Sequence, residues 1–281
     1  MGNNTTPKCQ CPNCSALGIN KYSVRRRGGN NAYLCRYHTE SLESYFTENS
    51  LRIGNMKANG LTYSIELETA YVNFAARLEL CVAGFLPTAD STVFAEFKSP
   101  IYNGANALKA YLPSLQWLID NGNMRIDDTC GTHFHVGHDT MINRRTMHFI
   151  RRFYHSLFLP LSLAMENDHA KTAELFGRDF GYWARAISAH ADPEEHTNFI
   201  NTQHENTLEF RLAYFKNAEQ YDRCIDFCRA VTEKVVNTFC QKVVAMGLSE
   251  NDRYLTAEQK AELKKAADKT AKQIVKLYNQ F

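Results

Sequence analysis

Four short stretches of the chain place charged or imidazole side chains at every second position. They cover residues 63–68, 92–98, 130–137 and 208–212. Because side chains alternate between the two faces of a strand, each stretch predicts a strand whose polar groups share one face. Four such strands indicate an antiparallel sheet with one face against a core and the other face polar.

Helical periodicity accounts for most of the remaining chain. The predicted helices cover residues 71–82, 103–121, 144–165, 217–245 and 256–278, the second, fourth and fifth ranges each beginning with the N-cap residue. Short strands are expected at 85–88 and 197–201, the second pairing with 208–212. The pattern therefore predicts an α+β fold in which helices back an antiparallel sheet, with a main domain over residues 60–281 that ends in long helices.

Residue types at the helix ends favour particular boundaries. The expected N-caps are Asn103, Asn143, Asn217 and Thr256, the last two each followed three residues later by a glutamine, as in a capping box. Pro113 is expected to bend its helix, and Pro160 to kink or split the next one, because proline lacks the N–H that a helix interior needs.

The composition is that of a globular protein. Of the 281 residues, 44% are hydrophobic and 22% are charged, and the formal net charge is +2. A charge this small argues against nucleic acid as a partner of the main domain, and no apolar run approaches the ~20 residues of a membrane span. Nine cysteines, an odd number, and no apolar signal segment favour a reducing, cytoplasmic location.

The N-terminal 50 residues contain the spacing of a structural metal site. Cys11 and Cys14 form one C-x2-C pair, and Cys35 and His38 form a second C-x2-H pair about twenty residues later. Two such pairs are typical of a closed, tetrahedral Zn²⁺ site, and Cys9 remains an alternative to His38. Residues 22–33 between the pairs predict a β-hairpin, so residues 1–50 resemble a zinc ribbon.

The polar faces of the predicted strands carry residue types that bind cations and phosphates. Glu66, Glu68, Glu96 and Glu209 are carboxylates, and at ~6 Å in an effective dielectric of about 20 each pair of them would repel by roughly 3 kcal/mol. Divalent cations remove that cost, and carboxylates with an imidazole suit Mg²⁺ or Mn²⁺.

Other polar residues on or near these strands extend the candidate site. They are His133 and His135 on the third strand, Arg211 on the fourth, and Arg178 and Arg185 in an irregular aromatic segment. Arginines that face a metal-bearing site are suited to clamp phosphate.

Five stretches, taken in order, resemble the amidoligase family, carboxylate–amine ligases of the glutamine synthetase and glutamate–cysteine ligase superfamily. They are residues 64–68 (SIELE), 96–100 (EFKSP), 130–137 (CGTHFHVG), the segment 178–185, and 208–212 (LEFRL). Ser64 stands where the family usually has a glycine. The N-terminal module lies outside this resemblance.

The resemblance implies a curved antiparallel sheet that forms an open funnel, and an ATP-dependent reaction that joins a carboxylate to an amine through an acyl phosphate. It implies that Glu66, Glu68, Glu96, His135 and Glu209 hold Mg²⁺ or Mn²⁺ beside the ATP phosphates. Arg211 would hold the transferred phosphoryl group and His133 would support His135. Arg178 and Arg185 would contact phosphate or the substrate carboxylate. The substrate would be an amino acid, peptide or protein.

Two other functions remain open from the residues alone. One is a metal-dependent hydrolase that uses His133, His135 and carboxylates. The other is a protein that binds nucleic acid or a partner through the zinc module, whose predicted hairpin carries three consecutive arginines at 25–27.

Overall fold

The computed structural model describes residues 60–88, 93–181, 184–252 and 254–281, with residues 82, 86 and 88 by their backbone only. Of the N-terminal module it describes the backbone of two strands. The zinc ligands Cys11, Cys14, Cys35 and His38, with Cys9 and the arginines at 25–27, lie outside the described residues. The zinc site and the domain division at residues 50–60 therefore remain predictions.

The strands are β1 (Asn20–Ser23), β2 (Asn31–Leu34), β3 (Leu61–Thr69), β4 (Tyr71–Val72), β5 (Leu86–Thr88), β6 (Ala95–Lys98), β7 (Tyr102–Asn103), β8 (Met124–Arg125), β9 (Thr132–His138), β10 (Ile200–Asn201) and β11 (Thr207–Phe210). The helices are α1 (Phe74–Val82), α2 (Ala105–Lys109), α3 (Leu112–Asp120), α4 (Arg144–Arg152), α5 (Tyr154–Glu166), α6 (His169–Phe176), α7 (Ala218–Lys234), a π-helical segment (Val235–Cys240), α8 (Gln241–Ala245) and α9 (Ala257–Gln280). The mixed α+β class is as predicted. Strands β1 and β2 pair antiparallel, as expected for the hairpin.

The main chain divides into two compact units. Beyond the N-terminal region, the first unit comprises Glu66–Pro100 and Trp117–Cys130. The second comprises the stretch that ends at Ile65, then Ile101–Gln116 and Gly131–Phe281. Strand β3 thus contributes its first five residues to the second unit and its last four to the first.

In the second unit, β11 lies between β10 and β9 and pairs antiparallel with both. Glu209 is opposite His135 on β9 and Asn201 on β10. Phe134, Val136 and Phe210 are fully buried on the other face. The strand pair predicted from 197–201 and 208–212 is therefore confirmed, although Arg211 and Leu212 lie just beyond the end of β11.

Helices of the second unit cover the apolar face of its strands. Tyr221 of α7 packs edge-on against Phe134, with ring centroids 6.4 Å apart, and its hydroxyl donates to the Thr132 carbonyl at 3.2 Å. Helix α9 packs along α5 and α7, and Tyr278 on α9 bonds Thr172 on α6 at 2.9 Å. These contacts place helices against the apolar face of the strands, opposite the face that carries His135 and Glu209.

In the first unit, β6 lies between β3 and β5 and pairs antiparallel with both. Glu66 is opposite Lys98, and Glu68 is opposite Glu96. Leu67 and Phe97 are fully buried on the reverse face. The alternation read from the sequence thus correctly divides polar from apolar positions on this pair of strands.

Several predicted helix boundaries were wrong. The helix expected over 71–82 begins only at Phe74, because Tyr71–Val72 pairs with β8 and the side chain of Asn73 caps the helix by accepting from the Ala76 amide. Asn103 does not cap a helix, because it belongs to β7. The helix expected over 103–121 is two helices, α2 and α3, and the break precedes Pro113.

The long helix expected over 144–165 is split, but not at Pro160. Asn143 caps α4 with a full capping box, as predicted in part. The break falls at Phe153, and Pro160 lies inside α5 on its exposed side. Proline has no N–H to donate to the carbonyl one turn earlier in the helix. On the exposed side that carbonyl can bond water instead, so the proline is tolerated there.

The C-terminal helices agree closely with the sequence. Thr256 and Gln259 form the predicted capping box of α9. Asn217 caps α7 through the Gln220 amide, but the expected reciprocal bond is absent, because the Gln220 side chain donates to the Leu175 carbonyl and accepts from the Lys216 amide. Helix α6 was not predicted. Within the described part of the chain, no helix is long and apolar enough to cross a bilayer.

Candidate functional site

A buried carboxylate, Glu209, lies at the centre of the polar groups of the second unit. Its side chain is only 2% exposed. The Arg211 Nη1 atom is 2.6 Å from Glu209 Oε1, and His133 Nδ1 is 3.4 Å from the same oxygen. Glu209 lies on β11, and Arg211 reaches its carboxylate from the turn just beyond the end of that strand. Burial without such partners would be costly for a charged carboxylate.

Two further histidines lie near the Glu209 carboxylate. The His204 Nε2 atom is 3.7 Å from Glu209 Oε2, and the rings of His204 and His135 meet edge to face with centroids 5.2 Å apart. One ligand atom from each of His135, His204 and Glu209 lies within 4.8 Å of the other two. Two imidazoles and a carboxylate at this spacing can hold a divalent cation.

Arg211 pairs with Glu209, but not all of its hydrogen-bond donors are used. Its side chain is 18% exposed, so the guanidinium is largely removed from water. The buried Nε atom has no hydrogen-bond acceptor among the residues that the structure describes. Arg211 therefore offers a positioned donor next to the His135, His204 and Glu209 cluster, which suits an anionic group.

Arg178 contacts the backbone that follows β11. It donates to the backbone carbonyls of Leu212 and Arg211, each at 3.4 Å, and its guanidinium lies over the Tyr214 ring at 5.5 Å. These contacts indicate that Arg178 supports the backbone on which Arg211 is mounted. Arg185 is exposed, and its backbone forms a bridge with Asn198.

In the first unit, a lysine lies between two carboxylates, and a third carboxylate lies on the same pair of strands. The Lys98 Nζ atom is 2.6 Å from Glu66 Oε1 and 3.4 Å from Glu96 Oε1, while Glu68 is opposite Glu96 across the strand pair. Partial burial alone would lower the pKa of Lys98. The hydrogen bond and charge of Glu66, together with Glu96, outweigh that effect and raise the pKa above its ordinary value.

The predicted site residues thus fall into two groups. Glu66, Glu68 and Glu96 share one strand pair of the first unit, and His133, His135, Glu209 and Arg211 cluster in the second. His204, which lies in the turn between β10 and β11, was not among the predicted site residues. Its only sequence signal is its place in the turn of a predicted hairpin whose second strand carries Glu209.

Comparisons with known proteins leave the family open. No protein-family model matches the chain, and no curated protein matches it. Among solved structures, the chain is similar to one titled "GmaS/ADP complex-Conformation 1", with 10% sequence identity and a TM-score of 0.40. That match covers 90% of this chain and 76% of the other. A similarity this low does not define the function of this chain.

Proposed function

We propose that this protein is an ATP-dependent ligase that joins a carboxylate to an amine. A substrate carboxylate oxygen attacks the γ-phosphorus of ATP, and ADP leaves as an acyl phosphate forms. The amine nitrogen then attacks the acyl carbon, phosphate leaves, and the nitrogen loses a proton to give an amide. The substrate class is an amino acid, peptide or protein.

The observation that carries this proposal is the position of Arg211. Its guanidinium is fixed by Glu209 at 2.6 Å, beside a cluster with the donor set of a cation site. Phosphoryl transfer depends on positioning and on neutralising the oxygen charge, which a cation and a held arginine supply together. The Arg211 side chain is 18% exposed, so part of the guanidinium remains accessible to a bound anion.

The donor atoms fit the cations that the reaction needs. Carboxylate oxygens of Glu66, Glu68 and Glu96 suit Mg²⁺ or Mn²⁺, which would take the place of the Lys98 ammonium beside Glu66 and Glu96. His135 with Glu209 suits Mn²⁺ in particular. A bound cation would neutralise phosphate charge. Arg211 would hold the transferred phosphoryl group and His133 would keep Glu209 in place, while Arg178 would orient the Arg211 backbone. The N-terminal cysteines and His38 would hold a structural Zn²⁺.

The test is ATP turnover by the purified full chain with Mg²⁺ or Mn²⁺, with and without a pool of amino acids, peptides and amines. We expect ADP formation that depends on an acid and an amine, with a product lighter than their sum by one water. Glu66→Gln and His135→Ala should each reduce turnover at least 100-fold, whereas His196→Ala, which changes an exposed histidine outside the cluster, should not. Full activity of Glu66→Gln or His135→Ala would refute the assigned roles.

A metal-dependent hydrolase is the second candidate, and one observation favours it. Two histidines and one carboxylate are a ligand set common in catalytic zinc sites with an open position. A hydrolase of this kind has no need of ATP. Metal-dependent cleavage of an ester, amide or phosphoester substrate by a protein that does not turn over ATP would therefore select the hydrolase.

A further inference from the structure

The turn between β10 and β11 brings a third candidate ligand, His204, to the cluster. This turn is unusually well anchored. Arg151 on α4 donates through Nε and Nη2 to the Thr202 carbonyl at 2.9 and 2.6 Å, and through Nη2 to the carbonyls of Gln203 and His204 at 3.0 and 3.5 Å. The Gln203 amide also donates to the Asn201 side chain at 2.7 Å.

Both sides of the turn are closed by further contacts. The Thr202 hydroxyl donates to the Pro193 carbonyl at 2.7 Å, and Arg151 also pairs with Glu194 at 3.3 Å. On the other side, a methyl group on Gly137 would lie 2.8 Å from the Asn206 carbonyl, so the turn lies close against β9. His204 is thus presented from a constrained backbone although its own side chain is 47% exposed.

An imidazole ligand at the position of His204 affects which metal ion the cluster prefers. Carboxylates and water satisfy Mg²⁺, which binds imidazole weakly, whereas Mn²⁺ and the later first-row ions accept imidazole readily. A second imidazole therefore strengthens binding of transition ions and does little for Mg²⁺. The exposure of His204 also leaves one side of the cluster open to solvent or substrate.

We propose that His204, presented by the Arg151-anchored turn, is a third protein ligand to the cation held by His135 and Glu209, and that it sets the preference of this site for Mn²⁺ over Mg²⁺. The proposal rests on the metal role assigned above to His135 and Glu209. Arg151 is a positioning residue in it, because its contacts are to the backbone of the turn.

The experiment measures Mn²⁺ binding to the purified full chain without ATP. Manganese is the probe because thiolate sites such as the predicted N-terminal one bind it poorly. Affinity is read by calorimetry, and directly bound nitrogen is read by electron spin-echo modulation of the bound Mn²⁺. The wild type should show two coordinated imidazole nitrogens and His204→Ala should show one.

Loss of His204 should weaken Mn²⁺ binding by about 10- to 100-fold, in the range found when metal-site geometry is disturbed, and Mg²⁺ binding by less than about threefold. Arg151→Ala should weaken Mn²⁺ binding in the same direction, and Arg151→Lys should recover part of it. The matched control is Arg152→Ala, an exposed neighbour on α4 that donates to the Asp252 carbonyl instead of the turn. It should leave Mn²⁺ affinity unchanged.

Unchanged Mn²⁺ affinity and two nitrogen couplings in His204→Ala would overturn the proposal, as would a wild type that binds no Mn²⁺. These outcomes are separate from failure of the proposed function. A wild type with two coordinated nitrogens that never turns over ATP would keep the metal site and refute the ligase. A ligase whose Mn²⁺ binding ignores His204 would keep the function and refute this inference.

Discussion

Replacement of Arg211 by methionine tests whether the Glu209 carboxylate is as dependent on its partner as its burial suggests. At 2.6 Å, the attraction between the two charges is about 6 kcal/mol at an effective dielectric of 20, against about 1.6 kcal/mol in water. Removing one partner of a buried pair leaves the other charge uncompensated, which typically costs 3–5 kcal/mol. We therefore expect Arg211→Met to destabilise the strands around β11 by roughly 3 kcal/mol or more.

The same chain offers a matched control at nearly the same distance. Arg223 Nη1 and Glu174 Oε1 are 2.7 Å apart, but their side chains are 41% and 64% exposed. Water screens such a pair, so Arg223→Met should cost less than about 1 kcal/mol. The two pairs have the same residue types and almost equal separations, so the contrast reports mainly burial; Arg223 also donates to the Phe281 carbonyl at 3.2 Å.

The assay is amide hydrogen exchange of peptides that cover β11, which reports the local opening free energy even if the two units unfold separately. In a Glu209→Gln background the Arg211→Met change should cost less than about 1 kcal/mol, since no buried charge is then left behind. Equal costs for Arg211→Met and Arg223→Met, or the same Arg211→Met cost in both backgrounds, would show that burial of Glu209 does not control the pair.

Two further predictions rest on contacts in the structure, and a third rests on the spacing of the N-terminal cysteines. Gly137→Ala would place a methyl group 2.7 Å from the Thr62 hydroxyl oxygen, so it should lower stability by about 1–3 kcal/mol, read as a lower melting temperature; an unchanged value would contradict the tight packing. Glu66 raises the pKa of Lys98 in the folded protein above 10.5, its value in the unfolded chain. The stabilisation by this ion pair is therefore complete below pH 10.5 and is lost as the pH rises through the pKa of the folded state. Melting temperatures between pH 9 and 11.5 should therefore fall more for the wild type than for Lys98→Met. Cys14→Ser should lower the zinc content of the purified chain, and unchanged zinc would exclude Cys14 as a ligand.

The sequence predicts the longer strands of this fold well because their signal is local, but it misses the two-residue strands β4, β7 and β8. Alternation alone places Glu66 with Glu68 on one face, and the strand pairing then follows from the second, buried face. Helix caps can also be predicted from the neighbouring sequence where the capping side chain has no competing partner, as at Thr256. At Gln220 the Leu175 carbonyl competes for the side chain, and the expected capping box is incomplete.

Features set by distant contacts could not be predicted in this way. The break at Phe153 interrupts a continuous helical pattern, and its ring packs instead on Phe239 at 5.7 Å, far along the chain. His204 is a turn residue without periodicity, so its approach to Glu209 depends on strand pairing and on Arg151. These positions required the tertiary structure.

The division of the chain into two units limits which segments could be exchanged by recombination. The segment 101–116 of the second unit interrupts the first, and residues 66–100 and 117–130 of the first interrupt the second. Neither unit is therefore a continuous stretch of polypeptide, and no single recombination event can exchange one and leave the other whole. An exchange of residues 66–130, which carry the carboxylates of β3 and β6, would therefore also replace residues 101–116 of the second unit.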